Sequence, residues 1–167
     1  WVSGEHIRAF SMNPHSEVVA IVSRNADKAL AKAKEYGLVG VNCYTDYDQA
    51  LKDSRVDIVC ICTPNHLHTV QTIKAAEAGK HILIEKPIAL SWDDALAMKK
   101  AVDKAGVKTL VGYVLRWNPL FETAKKIQDR FLGRLYYAET DYFHRVTETY
   151  PCYDWTRKKS VGSSSLL

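Results

Sequence analysis

A doubly wound parallel α/β sheet, followed by the start of an α+β unit, is the fold class this sequence predicts. Three observations predict it. Short apolar runs alternate with helical stretches along residues 18–114. Two of the runs, 56–62 and 81–84, are apolar at nearly every position, which suits strands covered on both faces. Three helical stretches close on a glycine (Gly37, Gly79 and Gly106), where a left-handed residue ends a helix.

In chain order, residues 2–12 read as a helix with Ser3 as its N-cap and Ile7 and Phe10 facing a core. Asn13-Pro14 ends it. Residues 18–22 form a buried strand that runs into Ser23-Arg24. Asn25 caps a helix over 26–36. Cys43-Tyr44 is a short strand, and Thr45 with Asp48 forms a capping box for a brief helix to Leu51. The strand at 56–62 stops at Thr63-Pro64-Asn65-His66, and residues 67–78 are helical. The strand at 81–84 stops at Glu85-Lys86-Pro87, where proline ends the ladder. Ser91 and Asp94 open a helix that runs to Ala105. A strand at 109–114, a loop at 116–119 and a helix at 120–131 follow. Residues 135–144, rich in Tyr, Phe and Thr, read as a strand of different character. The domain change is placed at Arg116 to Pro119: a nucleotide-binding-type unit over 1–115 and the beginning of a second unit over 116–167.

Right-handed crossovers put successive strand ends on one edge of such a sheet, and ligands bind at that edge. Glu85 and Lys86 therefore fall at a ligand-binding position. A lysine there can do chemistry, because its ammonium carries three donors and its pKa responds to its surroundings. It can equally pair with Glu85 or extend into water.

Composition narrows the partners. A content of 47% hydrophobic and 25% charged residues over 167 positions is enough to build a core. The net charge of +4 is spread among acids, and the one basic run, Arg157-Lys158-Lys159, reads as a solvated face, so no nucleic-acid partner is expected. No apolar run reaches membrane-spanning length and no signal-peptide pattern is visible, so a cytoplasmic location without membrane contact is expected. Cys43, Cys60, Cys62 and Cys152 show neither C-x-x-C spacing nor pairing with histidine. They are expected to be reduced core thiols, with no metal site.

The order of motifs resembles one family. Thr63-Pro64-Asn65-His66-Leu67-His68 follows one strand, Glu85-Lys86-Pro87 the next, and Gly112-Tyr113 with Arg116 and Pro119 the one after. This succession resembles the Gfo/Idh/MocA (glucose–fructose oxidoreductase, inositol dehydrogenase, rhizopine catabolism) family of NAD(P)-dependent oxidoreductases. The resemblance implies a Rossmann sheet and hydride transfer between nicotinamide and a sugar, cyclitol or related polyol. It further implies a small-molecule partner and a homo-oligomer at full length. It places Ser3 at the third small position of G-x-G-x-x-G/A, and so implies a chain cut at both ends and inactive by itself. A non-catalytic nucleotide-binding regulator of the same family is the alternative.

The resemblance also assigns residues. The cofactor contacts are Ser3, Ser23, Arg24, Thr63, Pro64, Asn65, His68, Glu85, Lys86 and Pro87. Ser23 and Arg24 stand where an acid would hold the ribose hydroxyls of NAD, and a hydroxyl with a guanidinium suits a 2′-phosphate, so NADP is favoured over NAD. Arg24 stacked on adenine is the other reading. Lys86 is the catalytic residue and a substrate contact, with partial burial expected to lower its pKa and Glu85 expected to orient it. A cis Lys86–Pro87 peptide is expected. His66 and His68 read either as functional or as surface and capping histidines. Tyr113, Arg116 and Trp155 are the remaining substrate contacts. Arg116 is either a buried donor or a domain-junction ion pair, and Trp155 either packs a sugar face or belongs to a core.

Overall fold

A computed structural model describes residues 2–141, 153–156 and 158–162. It contains α1 (Val2–Met12), β1 (Ala20–Val22), α2 (Ala26–Glu35), β2 (Asn42–Tyr44), α3 (Tyr47–Leu51), β3 (Ile58–Ile61), α4 (His68–Glu77), β4 (His81–Ile84), α5 (Trp92–Ala105) and β5 (Thr109–Val111). After these come α6 (Pro119–Ile127), continued by a π-helical turn at Gln128–Leu132, and two four-residue helices, α7 (Tyr153–Thr156) and α8 (Lys159–Gly162). All strand pairings among the described residues are parallel, β1 with β2 and β3–β4–β5 in that order.

Local chemistry sets the element ends. Asn25 caps α2 by accepting from Lys28 N, and Ser91 caps α5 by accepting from Asp94 N. Gly106 takes φ +66° at the close of α5, a conformation open to glycine at little cost. Two expected caps are corrected. Ser3 lies inside the first turn of α1, which already begins at Val2. Asp46, not Thr45, caps α3, because its carboxylate accepts from both Asp48 N and Gln49 N.

The core lies under the three-stranded sheet. Ile61, Ile82 and Ile84 pack with Leu51, Ala75, Ala76 and Met98. Burying each isoleucine contributes roughly 1.5–3 kcal/mol. His68, Thr72, Ala75 and Ala76 are buried at helical spacing, so α4 turns one narrow stripe inward, and the small alanines let it lie close to the strands.

β1 is paired with β2 alone and β3 with β4 alone, so each keeps one unpaired ladder edge among the described residues. Both strands line a single cleft of about 540 Å³, together with Ser3, His6, Ile7 and Phe10 of α1. The sheet is thus split in two. Arg55 helps hold the parts at one end: it bonds Asp53 (3.1 Å), Gly40 O (3.3 Å) and Val19 O (3.4 Å).

The stretch beyond β5 departs most from the expectation. β5 ends at Val111, short of the expected 114, and residues 114–117 form a 3-10 turn that takes in the start of the loop expected at 116–119. Residues 135–141 contain no strand and are exposed, and the rest of the expected strand, 142–144, lies outside the described residues. Aromatic and β-branched content favours a strand only where a neighbouring strand pairs with it.

Candidate functional site at the strand ends

The parallel register sets the carboxyl ends of three strands level. Ile61 is opposite Ile84, and Ile84 is opposite Val111. Thr63-Pro64-Asn65, Glu85-Lys86-Pro87 and Gly112-Tyr113 therefore leave the sheet side by side. Ser23-Arg24 leaves β1, on the far side of the cleft.

Glu85 is the centre of this edge. It is 8% exposed, and its Oε1 lies 2.8 Å from His6 Nε2 while its Oε2 accepts from Lys86 N at 3.3 Å. The hydrogen bond from His6 holds the Glu85 carboxyl below its usual range against the opposing effect of burial. The same bond raises the His6 imidazole. Gly112 makes room for the carboxylate, since a Cβ there would stand 2.9 Å from Glu85 Oε1. The side chain thus joins α1 to β4 through His6.

His68 is completely buried at the start of α4 and is neither a surface nor a simple capping residue. Nδ1 lies 2.9 Å from Pro87 O and Nε2 3.0 Å from Thr63 O. A neutral imidazole donates one of these bonds, an imidazolium both. The ring thus sits between a carbonyl of the loop after β3 and one of the loop after β4. The Lys86–Pro87 peptide is cis. Thr63 Oγ1 donates to Gln71 Oε1 at 2.6 Å, and Asn65 is buried in the 3-10 turn Asn65–Leu67. Pro64 is half-buried and supplies the carbonyl that Leu67 N bonds.

The remaining candidates lie nearer solvent. Lys86 and Pro87 are exposed, so the partial burial expected of Lys86 is absent in this chain. Arg24 is exposed, and Ser23 Oγ accepts from Asn25 N at 3.3 Å. Tyr113 is 43% exposed. Arg116 is exposed in the turn Val114–Trp117. Trp155 is half-buried in α7, apart in sequence from the strand ends.

Sequence reasoning missed Gly4 and His6, and gave Gly112 no role beside Glu85. Gly4 is buried, and any side chain there would collide with the Tyr36 hydroxyl, so it lets α1 sit close to α2. The signal for Gly112 was its place directly after a strand; His6 carried none, since its partners come from other elements. Contrary to the expectation of no cysteine–histidine pairing, the fold brings His6 beside Cys60 and Cys62.

The donor set suits a dinucleotide. Ser3, Cys62 and Thr63 line the cleft with the first turn of α1, and a helix N-terminus favours phosphate. Ser23 and Arg24 add a hydroxyl and a guanidinium. Fold and site together define a parallel α/β unit of the NAD-binding Rossmann class.

Comparison with known proteins gives the family. Residues 1–113 match GFO_IDH_MocA, the oxidoreductase family with an NAD-binding Rossmann fold. The chain belongs to the Gfo/Idh/MocA family of oxidoreductases. It is 41% identical over 103 residues to 4-carboxy-2-hydroxymuconate-6-semialdehyde dehydrogenase of a Sphingobium species, covering 62% of this chain and 32% of that protein. It is 32% identical over 149 residues to levoglucosan dehydrogenase of Pseudarthrobacter phenanthrenivorans, covering 88% and 38%. The WlbA dehydrogenase of Bordetella pertussis, solved with NADH and UDP-GlcNAcA, superposes with a TM-score of 0.71 at 31% identity, over 77% of this chain and 36% of that one. The chain thus spans about a third of the length of these relatives. No helix among the described residues is long and apolar enough to cross a membrane.

Proposed function

We propose that this chain is the cofactor-binding part of an NAD(P)-dependent oxidoreductase acting on a sugar, cyclitol or related polyol. The observation that carries the reading is the convergence of three strand ends on one edge, braced by His68 and Glu85, with Lys86 exposed at its centre. A bound nicotinamide cofactor supplies the hydride acceptor or donor. The chain's own residues hold and position. Ser3 and the first turn of α1 face phosphate, Thr63–Asn65 line the ribose side, and Glu85 fixes the α1–β4 junction.

Lys86 handles the proton. As hydride leaves a carbinol carbon, its hydroxyl must lose a proton, and an ammonium near that oxygen stabilises the developing charge. In this reading Tyr113 and Arg116 face substrate from the next strand end, Trp155 comes from the second unit, and the domain boundary falls at 115–116. The whole protein forms a homo-oligomer. The half-buried free thiols Cys43, Cys60 and Cys62 suit a reducing, cytoplasmic compartment.

The exposed Arg24, with Ser23 and no acid at the β1 end, favours NADP. Arg24→Ala is expected to weaken NADPH binding about tenfold or more while changing NADH binding little, as read by cofactor fluorescence titration of the full-length enzyme. Equal losses for both cofactors would remove the NADP assignment.

A further inference from the structure

We propose that His6, Cys60 and Cys62 form a binding site for a soft divalent cation, with zinc as the natural occupant. One ligand atom from each of the three lies within 4.8 Å of the others. Cys60 and Cys62 alternate on β3 and its exit, so they share a face, and their sulfurs are 3.5 Å apart. Two thiolates on a tetrahedral zinc, each about 2.3 Å from the metal, stand roughly 3.8 Å apart. The pair is thus already near the spacing of one edge of that tetrahedron. A small inward shift of His6 completes three ligands and leaves a fourth position for water.

Glu85 lies outside the three and holds the His6 ring by the 2.8 Å bond at Nε2. A carboxylate on one ring nitrogen is the usual outer partner of a metal-binding imidazole, because it fixes the ring and makes the other nitrogen more basic. Binding releases the thiol protons to solvent and forms two metal–sulfur bonds, with no change of oxidation state. Two sulfurs and an imidazole discriminate against magnesium, calcium and manganese, which prefer oxygen ligands. All three residues line the cleft between β1 and β3. None of this requires bound nicotinamide.

The test is titration of the full chain with Co²⁺ under a phosphine reductant, which keeps the thiols reduced. The expected result is one Co²⁺ per chain, with thiolate-to-cobalt charge transfer and intense tetrahedral visible bands, both abolished by equimolar Zn²⁺ and unaffected by Mg²⁺. Cys60→Ser and Cys62→Ser should abolish the charge-transfer band. Glu85→Gln should weaken affinity about 10–100-fold while keeping the spectrum. A measurement on the unaltered chain guards against misfolded variants: Zn²⁺ should suppress alkylation of Cys60 and Cys62 more than that of Cys43. No charge-transfer band, a band that survives loss of both cysteines, or alkylation indifferent to Zn²⁺ would each overturn the proposal.

Discussion

Glu85 and His68 divide the work at the strand ends. Glu85 anchors α1 to β4 through His6, while the His68 ring sits between the loop after β3 and the loop after β4. Removing the His68 ring takes away the N–H donor held between the Pro87 and Thr63 carbonyls. His68→Ala should therefore lower stability by about 2–4 kcal/mol, measured by urea unfolding. A loss under 1 kcal/mol would show that water replaces the ring. Gly112→Ala acts on the Glu85 anchor. Its methyl would press on a carboxylate that His6 and the Lys86 amide already hold, so Glu85 must leave His6. A cost of about 1–3 kcal/mol is expected, with a fall in the His6 pKa seen by NMR. The places of Lys86, Thr63 and Asn65 after β4 and β3 were legible because those strands are recognisable. The roles of His6, Gly112 and Glu85 were not, because each depends on a contact between elements distant in sequence.

At the scale of elements, the alternation of strands and helices was legible almost throughout, because burial on both faces writes an apolar run and helix ends write caps. Asn25 and Ser91 sit where their side chains suggested. The choice between Thr45 and Asp46 was not legible, since both are capping residues and only backbone geometry selects one. The Asp53–Arg55 clamp was equally hidden. Asp53 accepts from Arg55, from Asn42 at 3.0 Å and from the Tyr44 hydroxyl at 3.0 Å, so it joins β2 to the turn that leads into β3. The Arg55 guanidinium, foremost, holds its carboxyl far below the usual range. The folded state then binds fewer protons than the unfolded chain. Its stabilisation is complete above the ordinary aspartate value of about 3.9 and is lost as pH falls through the depressed value. Asp53→Asn should flatten the acid limb of a stability–pH curve below about pH 4 and leave its slope near neutrality unchanged. An unaltered acid limb would show that the clamp does not form.

For the molecule as a whole, two parallel sheets share one cleft, and beyond β5 the chain carries exposed apolar side chains such as Leu120, Phe131 and Tyr136. The class of fold was legible because it rests on the order of elements. The state of residues 135–141 was not, because a strand forms only when it finds partners, and composition does not say whether it does. The central claim is that the common edge of β3, β4 and β5 holds nicotinamide cofactor and that Lys86 moves the proton there. The most direct measurement compares wild type with Lys86→Ala in the full-length enzyme, recording cofactor Kd and polyol turnover in the same preparation. Cofactor affinity within a few-fold of wild type and turnover reduced about 10²–10⁴-fold is the predicted result. Unchanged turnover would contradict the assignment of Lys86.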